Sequence, residues 1–478
     1  MSWSIRMAAV WAIACVAVLN TAVRAETAQA DKRPNILFVY IDDMGYRDPS
    51  YMGSDFFETP NIDRLAREGM VFTNAYSCAA NCAPARACLL SGQYTPRHEI
   101  YNVGTGPRGN AKYRRLLHVP GTDVLDPSIT TWAQCIQKAG YTTAIMGKWH
   151  LSADPRPYGF DVNIGGNHSG SPPKGYYPPH PNAPGLEDAP PGEYLTDRLS
   201  AEAAAFIREN KDRPWLLYLS HYAVHSPLQG KKELLPKYQA KTPGKLHDNV
   251  QYAAMVQAVD DGVGLICRTL DELGLTENTI VIFYSDNGGF YQATDMDPLR
   301  GYKGTYYEGG IREPFFVKWP GVVKPGTVCD EPIIGVDLYP TLCEMAGATM
   351  PENQIRDGVS IVPLLTGEKT TLGPRPLFWH FPAYLQGNPV LYESRDPLFR
   401  TRPCSVVRLG DWKLIQYFED GGLELYNLRQ DIGERRNLAT VQPEKTKELL
   451  AVLTDWQQRV NAPIPREPNP AFDAQAEA

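Results

Sequence analysis

The stretch Asn35-Ile36-Leu37-Phe38-Val39-Tyr40-Ile41 is an almost unbroken apolar run that ends at the paired acids Asp42-Asp43. This composition is typical of a strand that is covered on both faces of a sheet. Similar runs recur at residues 142–146, 215–220 and 279–284. Between them the apolar residues follow a helical period, at residues 62–68, 129–138, 199–209 and 252–270. Strands that alternate with helices predict a layered α/β domain.

The pattern changes downstream of residue 373. Strand and hairpin signals appear at residues 405–409, 412–418 and 423–426, and a last helical stretch follows at residues 443–460. A chain of 478 residues also exceeds what one hydrophobic core usually serves. We therefore expect a large domain at residues 34–372, a small α+β subdomain at residues 373–461, and a tail at residues 462–478 whose last dozen residues are disordered.

The first 25 residues have the composition of a signal peptide. Arg6 precedes an apolar run at residues 7–19, and Val23-Arg24-Ala25 resembles a cleavage site. The apolar run is shorter than the ~20 residues that span a bilayer, which makes a retained membrane anchor the weaker alternative. We predict cleavage after Ala25 and an exported protein, periplasmic or secreted, with no membrane attachment.

Charge and cysteine content limit the function classes. Removal of residues 1–25 takes away Arg6 and Arg24 and no acidic residue, so the net charge changes from −7 to −9. A protein this acidic has no bulk attraction for nucleic acid. The remaining cysteines show no zinc motif; they are Cys78, Cys82, Cys88, Cys135, Cys267, Cys329, Cys343 and Cys404. Cys78 and Cys88 are a candidate disulfide, and small buried thiols are the alternative.

One segment carries a long and specific pattern. Cys82-Ala83-Pro84-Ala85-Arg86, followed by Leu90-Ser91-Gly92, matches C-x-P-[SA]-R with an [LM]-[ST]-G tail. An isolated Cys-x-Pro-x-Arg is an ordinary turn with a buried thiol. The long pattern, however, resembles the signature of the sulfatase family, the formylglycine-dependent type I enzymes of the alkaline phosphatase-like superfamily.

The resemblance implies both a fold and a modification. The fold is α/β, with a large mixed sheet sandwiched by helices and a smaller C-terminal α+β subdomain. By the same resemblance, a sulfatase-maturing enzyme oxidises Cys82 to formylglycine (3-oxoalanine), an aldehyde whose hydrate carries two geminal hydroxyls. One hydroxyl attacks sulfur, and the other then expels the sulfate.

Acidic and amide side chains follow two predicted strands. Asp42 and Asp43 come after the first strand, and Asp286 and Asn287 come after the strand at residues 279–284. Open α/β sheets place their sites at the carboxyl ends of strands, and paired carboxylates repel unless a cation lies between them. An all-oxygen set suits Ca²⁺, or less readily Mg²⁺, rather than zinc. An oxygen of modified Cys82 would complete the set. For Asp42-Asp43 alone, a helix cap or solvated turn is the alternative.

Gly147-Lys148-Trp149-His150 follows the strand at residues 142–146 and resembles the G-K-W-H segment of the family. The resemblance implies that Lys148 contacts the sulfate and the aldehyde hydrate. His150 would orient or deprotonate a hydroxyl, because histidine exchanges protons near neutral pH. A surface lysine and a hydrogen-bonded structural histidine are the alternative.

Two further segments resemble family motifs. His225, in Val224-His225-Ser226-Pro227, matches a histidine-x-proline turn and is the candidate general acid, with His221 as a competitor. Lys303 begins a segment that ends at Glu308-Gly309-Gly310-Ile311-Arg312 and would give the sulfate a second cation. We interpret Glu308 and Arg312 as an architectural pair.

The resemblance extends to the C-terminal block Glu424-Leu425-Tyr426-Asn427-Leu428 with Asn437-Leu438-Ala439. It implies a sulfuric ester hydrolase whose substrate is a sulfated carbohydrate or an aryl sulfate. Lys148, Lys303 and His225 would bind the sulfate group, and Arg86 would stabilise the ionised hydrate. The alternatives are a phosphodiesterase or phosphonate monoester hydrolase of the same superfamily, and a non-catalytic glycan-binding protein.

Two irregular stretches are candidates for the substrate subsites. Residues 165–194 are crowded with Gly, Pro, His and Tyr and show no periodicity, which predicts a long loop. A second stretch offers positive charge on an acidic protein; its basic residues are Arg108, Lys112, Arg114 and Arg115. We predict that both stretches line the subsites, and solvated surface is the alternative.

Overall fold

The computed structural model describes residues 33–387, 393–395 and 397–477, so the predicted signal peptide lies outside the described residues. Its strands are β1 Asn35–Ile41, β2 Met70–Phe72, β3 Ala75–Tyr76, β4 Thr142–Gly147, β5 Val162–Ile164, β6 Trp215–Ser220, β7 Thr279–Ser285, β8 Phe315–Lys318, β9 Thr327–Cys329, β10 Ile333–Ile334, β11 Leu377–Phe381, β12 Leu385–Gln386, β13 Phe399–Thr401, β14 Cys404–Leu409, β15 Trp412–Tyr417 and β16 Leu423–Asn427.

The helices of the same residues are α1 Pro60–Arg67, α2 Cys82–Ser91, α3 Thr95–His98, α4 Trp132–Lys138, α5 Leu195–Glu209, α6 Leu235–Gln239, α7 Val250–Glu272, α8 Glu308–Ile311, α9 Leu338–Met345, α10 Val362–Leu365, α11 Pro443–Arg459 and α12 Ala474–Glu477. None of these described helices is both long enough and apolar enough to cross a membrane.

The main sheet has eight strands in the order β5-β4-β6-β1-β7-β8-β2-β9. Strand β1 lies inside it and pairs in parallel with β6 and β7, and β4 pairs in parallel with β6. These are the strands that the apolar runs predict. Strand β8 is antiparallel to both β7 and β2, so the sheet is mixed. The sequence analysis missed β2 and β8 because short apolar segments have no diagnostic period.

Both faces of the sheet are covered, which explains the unbroken apolar run. Leu37, Val39 and Ile41 of β1 belong to a core with α5 and α7, whereas Phe38 and Tyr40 point into a second core with α4 and α9. Successive side chains of a strand point to opposite faces, so one continuous run serves both cores. The predicted sheet between helical layers is confirmed.

The C-terminal region forms a separate antiparallel sheet with the order β11-β14-β15-β16, and α11 packs on it. The three predicted hairpin strands and the last helix are confirmed. The Nε1 atom of Trp379 in β11 donates a hydrogen bond to Ser77 O at 2.7 Å. This contact joins the small sheet to the segment that precedes α2.

The end of the chain differs from the prediction of a disordered tail. Leu117 N–H donates to Glu467 O at 2.8 Å, and Asn469 N–H donates to Arg115 O at 2.9 Å. Asp473 N–H also donates to a main-chain oxygen of the same basic stretch, Lys112 O. These backbone hydrogen bonds tie residues 467–473 to residues 112–117. Composition indicated low apolar content but could not show this pairing.

The candidate disulfide is wrong for this structure, because Cys78 and Cys88 are both free buried thiols. Cys78 Sγ accepts a hydrogen bond from Val336 N–H at 3.1 Å. Cys88 Sγ lies 3.2 Å from His98 Nε2. The alternative prediction, that the cysteines are small buried thiols, is confirmed for Cys78 and Cys88.

Candidate active site

Four parallel strands deliver their following residues to one edge of the sheet. Asp42 and Asp43 follow β1, Lys148 follows β4, His225 comes shortly after β6, and Asp286 follows β7. The carboxyl ends of parallel strands meet at one edge, which is where open α/β sheets bind ligands. The structure therefore brings together residues that are up to 244 positions apart, as in the hydrogen bond from Asn287 Nδ2 to Asp43 Oδ1.

Cys82 is the first residue of α2 and is buried, with 2% of its surface exposed. The amino-terminal end of a helix favours negative charge because its N–H groups are unpaired. Burial raises the pKa of the Cys82 thiol, but Lys148 and Lys303 outweigh burial and the pKa lies below its ordinary value. The surroundings of Cys82 thus stabilise an anion.

Arg86 lies one helical turn beyond Cys82 and directs its donors at the strand ends. Its Nε and Nη2 atoms donate to Asp286 Oδ2 at 3.0 and 2.8 Å. Its Nη1 atom donates to Lys148 O at 3.1 Å and Ser220 Oγ at 2.6 Å. With the guanidinium committed to these partners, Arg86 holds α2 in register with the carboxyl ends of β4, β6 and β7.

The two carboxylates after β1 each pair with one lysine. Lys148 Nζ lies 2.9 and 2.7 Å from the two oxygens of Asp42, and Lys303 Nζ lies 2.5 Å from Asp43 Oδ1. Burial raises the pKa of Asp42 well above its usual range despite Lys148. Burial also raises the pKa of Asp43, but Lys303 and His225 outweigh it and leave this pKa below the usual range.

The donor set fits a hard divalent cation. Asp42, Asp43 and His225 each offer one ligand atom, and these atoms lie within 4.8 Å of one another. Asn287 Oδ1 is buried and accepts no hydrogen bond from the described residues, so it is an oxygen without a partner beside Asp43. Asp286 Oδ1 accepts the N–H of Asp43 at 3.1 Å. Carboxylate and amide oxygens are the ligands of Ca²⁺ and Mg²⁺.

His150 faces the predicted long loop. Its backbone has φ of 70°, which few residues other than glycine adopt, and its N–H donates to Asn167 O at 2.9 Å. A Cβ atom at Gly170 would lie 2.4 Å from His150 Nε2, so the loop packs directly on the imidazole. Burial, followed by Lys148, places the His150 pKa well below its ordinary value. His150 is therefore neutral here.

The structure separates the two candidate general acids. His225 Nε2 lies 3.7 Å from Asp43 Oδ2, and His225 Nδ1 lies 2.6 Å from Ser226 O. Burial and then Lys303 lower the His225 pKa to about 4. His221 is fully buried, and neither ring nitrogen has a hydrogen-bond partner among the described residues. Of these two histidines, His225 is among the described residues that line the cavity at Cys82 and His221 is not.

That cavity has a volume of about 280 Å³, and its described lining residues are Asn81, Cys82, Asn102, Val103, Arg108, His150, Gly170, Ser171, His225, Lys303, Leu385 and Arg400. The predicted loop contributes Gly170 and Ser171, and the predicted basic stretch contributes Arg108. Lys112, Arg114 and Arg115 are not among the described lining residues, so their place at a subsite stays a prediction.

Sequence reasoning missed Asn81, Asn102 and Arg400. Asn81 directly precedes Cys82, and its Nδ2 atom donates to Asn102 Oδ1 at 2.9 Å. Its position beside the motif was an available signal. Arg400 lies in β13, far from any recognised motif, and no sequence pattern indicates its place at the cavity.

The interpretation of Glu308 and Arg312 as an architectural pair is confirmed. Arg312 Nη1 lies 3.4 Å from Glu308 Oε2, and Lys413 Nζ lies 3.0 Å from Glu308 Oε1. Lys413 Nζ also lies 2.9 Å from Glu434 Oε1, and both partners are fully buried. This cluster fixes the loop after Lys303 to the C-terminal sheet.

Two family models match the sequence. A model described as Sulfatase matches residues 34–348, and a model described as N-sulphoglucosamine sulphohydrolase, C-terminal, matches residues 302–461. The first covers the main sheet and every strand-end residue of the site. The second covers the small antiparallel sheet and α11.

Individual proteins are also similar to this chain over most of its length. A protein named sulfatase from Formosa agariphila is 33% identical over 91% of this chain and 90% of its own length. N-acetylgalactosamine-6-sulfatase of Homo sapiens is 32% identical over 73% of this chain and 69% of its own. The crystal structure of Ps i-CgsB in complex with k-i-k-neocarrahexaose superposes with a TM-score of 0.72 at 29% identity, over 89% of this chain and 92% of that one.

Proposed function

The chain belongs to the sulfatase family and is a sulfuric ester hydrolase, and we propose that it removes sulfate from a sulfated carbohydrate through a formylglycine made from Cys82. The observation that carries this proposal is a single cavity whose described lining residues include Cys82, His150, His225 and Lys303. We propose export as well, on the composition of residues 1–25.

The modification suits the position of Cys82. Formylglycine, as its hydrate, would supply one hydroxyl to attack sulfur and a second hydroxyl to expel sulfate. The cationic surroundings that lower the pKa of the Cys82 thiol would equally favour an ionised hydroxyl at that residue. The resemblance assigns Arg86 to the ionised hydrate, and that role stays a prediction. Because its donors contact Asp286, Lys148 O and Ser220 Oγ, we propose that Arg86 also positions these groups.

We propose Ca²⁺ as the cation held by Asp42, Asp43, Asp286 and Asn287, with an oxygen of residue 82 as a further ligand. The support is the oxygen-only character of these residues and the buried Asn287 Oδ1 atom. When bound, Ca²⁺ would neutralise charge on the sulfuryl oxygens. His225 lies close to Asp42 and Asp43. Among these three side chains, the imidazole of His225 is the one that ordinarily exchanges protons near neutral pH.

The remaining side chains have two proposed roles: the lysines stabilise negative charge, and the histidines transfer protons. Lys148 and Lys303 present two ammonium groups beside Cys82, which suits the charge that develops on a sulfate ester during cleavage. His225 would protonate the departing alcohol. Burial is the main cause of the lowered His225 pKa and Lys303 is the second, so a bound sulfate that pairs with Lys303 would weaken the second cause. Neutral His150 would accept the proton of the second hydroxyl.

The proposal of a carbohydrate substrate draws on the relatives. N-acetylgalactosamine-6-sulfatase is named for a sugar sulfate, and Ps i-CgsB was crystallised with an oligosaccharide. The cavity agrees with such a ligand because it combines cations with the amide side chains of Asn81 and Asn102. Amides recognise hydroxyl groups as donors and acceptors.

The proposal is tested by expressing the protein with and without a formylglycine-generating enzyme. Mass spectrometry of the Cys82 peptide is expected to show conversion of the thiol to the aldehyde only in the first case. Sulfate release from p-nitrophenyl sulfate should follow the converted fraction and disappear in Cys82→Ala. Cys329→Ala, at a half-buried cysteine outside the cavity, is the matched control.

Three outcomes would contradict the proposal. Full activity of the unconverted thiol protein would exclude formylglycine as the nucleophile. A large preference of the converted protein for p-nitrophenyl phosphate over the sulfate would favour the phosphoesterase alternative. Conversion without hydrolysis of any sulfate ester would favour the glycan-binding alternative.

A further inference from the structure

Two asparagines at the cavity beside Cys82 have no part in the proposed bond cleavage. Asn81 directly precedes Cys82, and Asn102 lies on the loop that follows α3. Each keeps only 6% of its surface exposed, and both line the cavity. A buried amide normally has its donors and acceptors paired, because an unpaired buried polar group is costly. Any atom of these two amides without a protein partner is therefore a candidate for contact with a ligand.

One backbone N–H group fixes the orientation of both amides. Val103 N–H donates to Asn102 Oδ1 at 2.9 Å, and this donor requires an oxygen as its acceptor. Asn102 Oδ1 also accepts a hydrogen bond from Asn81 Nδ2 at 2.9 Å. If either amide were reversed, two donors or two acceptors would face each other. The N–H of Val103 therefore decides which atoms of Asn81 and Asn102 remain for a ligand.

The remaining atoms are one acceptor and one donor. Asn81 Oδ1 and Asn102 Nδ2 have no hydrogen-bond partner among the described residues, and neither atom is closed off from solvent. Each belongs to a residue that lines the cavity. The pair thus offers an oxygen that can accept a hydrogen bond beside an NH₂ group that can donate one.

The Asn81 side chain is available for this contact because it does not cap α2. An asparagine before a helix usually accepts an N–H group of the second or third helical residue. The third residue of α2 is Pro84, which has no N–H group, and the Asn81 side chain makes no capping hydrogen bond. Asn81 O accepts Ala85 N–H at 3.1 Å, so the main chain alone starts the helix. The amide of Asn81 is left to Asn102 and the cavity.

A hydroxyl group is the ligand that matches this pair. It donates one hydrogen bond and accepts others through its two lone pairs. An ionised sulfate or carboxylate has no proton for Asn81 Oδ1, and an ammonium group has no lone pair for Asn102 Nδ2. An ether oxygen accepts but does not donate. Sugars carry free hydroxyls, so the substrate class proposed above can supply this group.

We propose that Asn81 and Asn102 together bind one free hydroxyl of the sugar that carries the cleaved sulfate, with Asn81 Oδ1 as acceptor and Asn102 Nδ2 as donor. The inference rests on the proposed function and narrows its substrate class. The cavity of about 280 Å³ lies just below the usual ligand-site range of about 300–1,000 Å³, so the hydroxyl belongs to the same ring as the sulfate. A sugar in which this hydroxyl is missing, methylated or itself sulfated is a poor substrate.

Kinetics of the converted protein with synthetic sugar sulfates tests this. The first probes are methyl galactosides and methyl glucosides that carry a single sulfate at C2, C3, C4 or C6. The monosulfate with the highest kcat/KM is then compared with analogues in which each remaining hydroxyl, one at a time, is replaced by hydrogen or by a methoxy group. p-Nitrophenyl sulfate, which has no hydroxyl, is measured beside them.

One hydroxyl is expected to dominate the comparison. Wild-type protein should lose at least about 10-fold in kcat/KM when this hydroxyl is replaced, because the two amide atoms are then left unpaired. In Asn102→Ala and in Asn81→Ala the same replacement should cost less than about 3-fold, since the hydroxyl has already lost a partner. Asn353→Ala removes an exposed amide outside the cavity and should keep the wild-type dependence.

Each variant is compared with itself on two substrates, so a partly unfolded preparation does not change the ratio. Equal kcat/KM of wild-type protein for every analogue would overturn the inference, and so would a hydroxyl dependence that persists in both asparagine variants. A uniform loss in the variants, on p-nitrophenyl sulfate as on the sugars, would place the two amides on the sulfate group and would also overturn it.

The measurements separate this inference from the function on which it rests. Wild-type protein that cleaves p-nitrophenyl sulfate but no sugar sulfate would contradict the carbohydrate substrate and, with it, the hydroxyl site. Absence of sulfate release from every probe, p-nitrophenyl sulfate included, would contradict the proposed function instead.

Discussion

The ammonium group of Lys148 lies within hydrogen-bond distance of both carboxylate oxygens of Asp42, and neither side chain is exposed to solvent. Such a pair depends on mutual neutralisation, because an isolated buried charge is strongly destabilising. Lys148 follows β4 and Asp42 follows β1, so their contact spans β6, the strand between them. The lysine that we propose for sulfate binding is thus also part of the charge balance at the cation site.

Substitution of Lys148 by Ala is expected to lower kcat/KM for p-nitrophenyl sulfate by about 100-fold or more. Removal of one preorganised donor from a developing oxyanion costs about 10²–10³ in rate. Steady-state kinetics of the converted protein measures the change. Lys369→Ala, at an exposed lysine, is the control and should stay within about 3-fold of wild type. A similarly small effect of Lys148→Ala would contradict the assigned role.

Addition of Ca²⁺ to protein dialysed against chelator is expected to raise the Tm. A ligand that binds only the folded state at 100 times its Kd stabilises by about 2.7 kcal/mol. Asn287→Ala should remove most of this shift, because Asn287 Oδ1 is the buried oxygen without a protein partner. Differential scanning fluorimetry measures it without reference to activity, and Asn353→Ala, at an exposed position, is the control. An unchanged shift in Asn287→Ala would exclude this residue as a ligand.

Substitution of Gly170 by Ala is expected to lower kcat about 10-fold with little loss of folding stability. The new Cβ atom would lie 2.4 Å from the His150 ring, which must move, and a displacement of about 1 Å of a catalytic group can cost 10²-fold. Gly106→Ala is the matched control, because no atom lies within 4 Å of its added Cβ. Wild-type kcat in Gly170→Ala would show that this contact does not position His150.

The central strands could be predicted because each is a short, unbroken apolar run. The helices could be predicted because their apolar residues recur with the helical period over longer stretches. The site residues Cys82, Asp42 and Asp286 could be placed together because they follow strands or belong to a long motif. Arg400 could not be found in this way. Its place depends on the space left by Gly304 and on the packing of β13, which are tertiary relationships without a local pattern.

The tail and the cysteines are two further cases in which a local sequence pattern does not predict a tertiary contact. Backbone hydrogen bonds between residues 112–117 and 467–473 use no particular side chain, so composition cannot reveal them. Cys78 and Cys88 are close in sequence, but both are free thiols, and their sulfur atoms also contact Val336 N–H and His98 Nε2. Spacing alone cannot decide between these partners.

Substitution of Lys413 by Met is expected to destabilise the protein by about 3–5 kcal/mol. Lys413 is fully buried between Glu308 and Glu434, and its loss would leave two buried carboxylates with less compensation. Burial already raises the pKa of Glu434 to about 7. Urea unfolding of the variant, beside Lys445→Met at a partly exposed i,i+3 pair, measures the difference. A loss below about 1 kcal/mol would show that the cluster is not a structural connection.

Asp260 predicts a pH dependence of stability. It accepts the N–H groups of Asn61 and Ile62 at the start of α1, and burial raises its pKa from 3.8 to about 6. A raised pKa means that the folded state binds the proton more tightly, so this group lowers stability as pH rises from about 4 to about 6. The difference in Tm between Asp260→Asn and wild type should shift in favour of the variant over that window. Asp455→Asn, at an exposed site, should show no such trend.

The pairing of residues 467–473 with residues 112–117 has a practical side. A protein shortened after Arg459, at the end of its last long helix, keeps every catalytic side chain but loses the support of the segment that follows Arg108. Because we predict that the Arg108 stretch lines a substrate subsite, proteolytic trimming or a bulky purification tag at this end is expected to change the affinity for a sulfated saccharide before it changes the cleavage of a small sulfate ester. Preparations that behave alike on a simple aryl sulfate could therefore differ on natural polymers, and intact mass at the carboxyl terminus is the measurement that tells them apart.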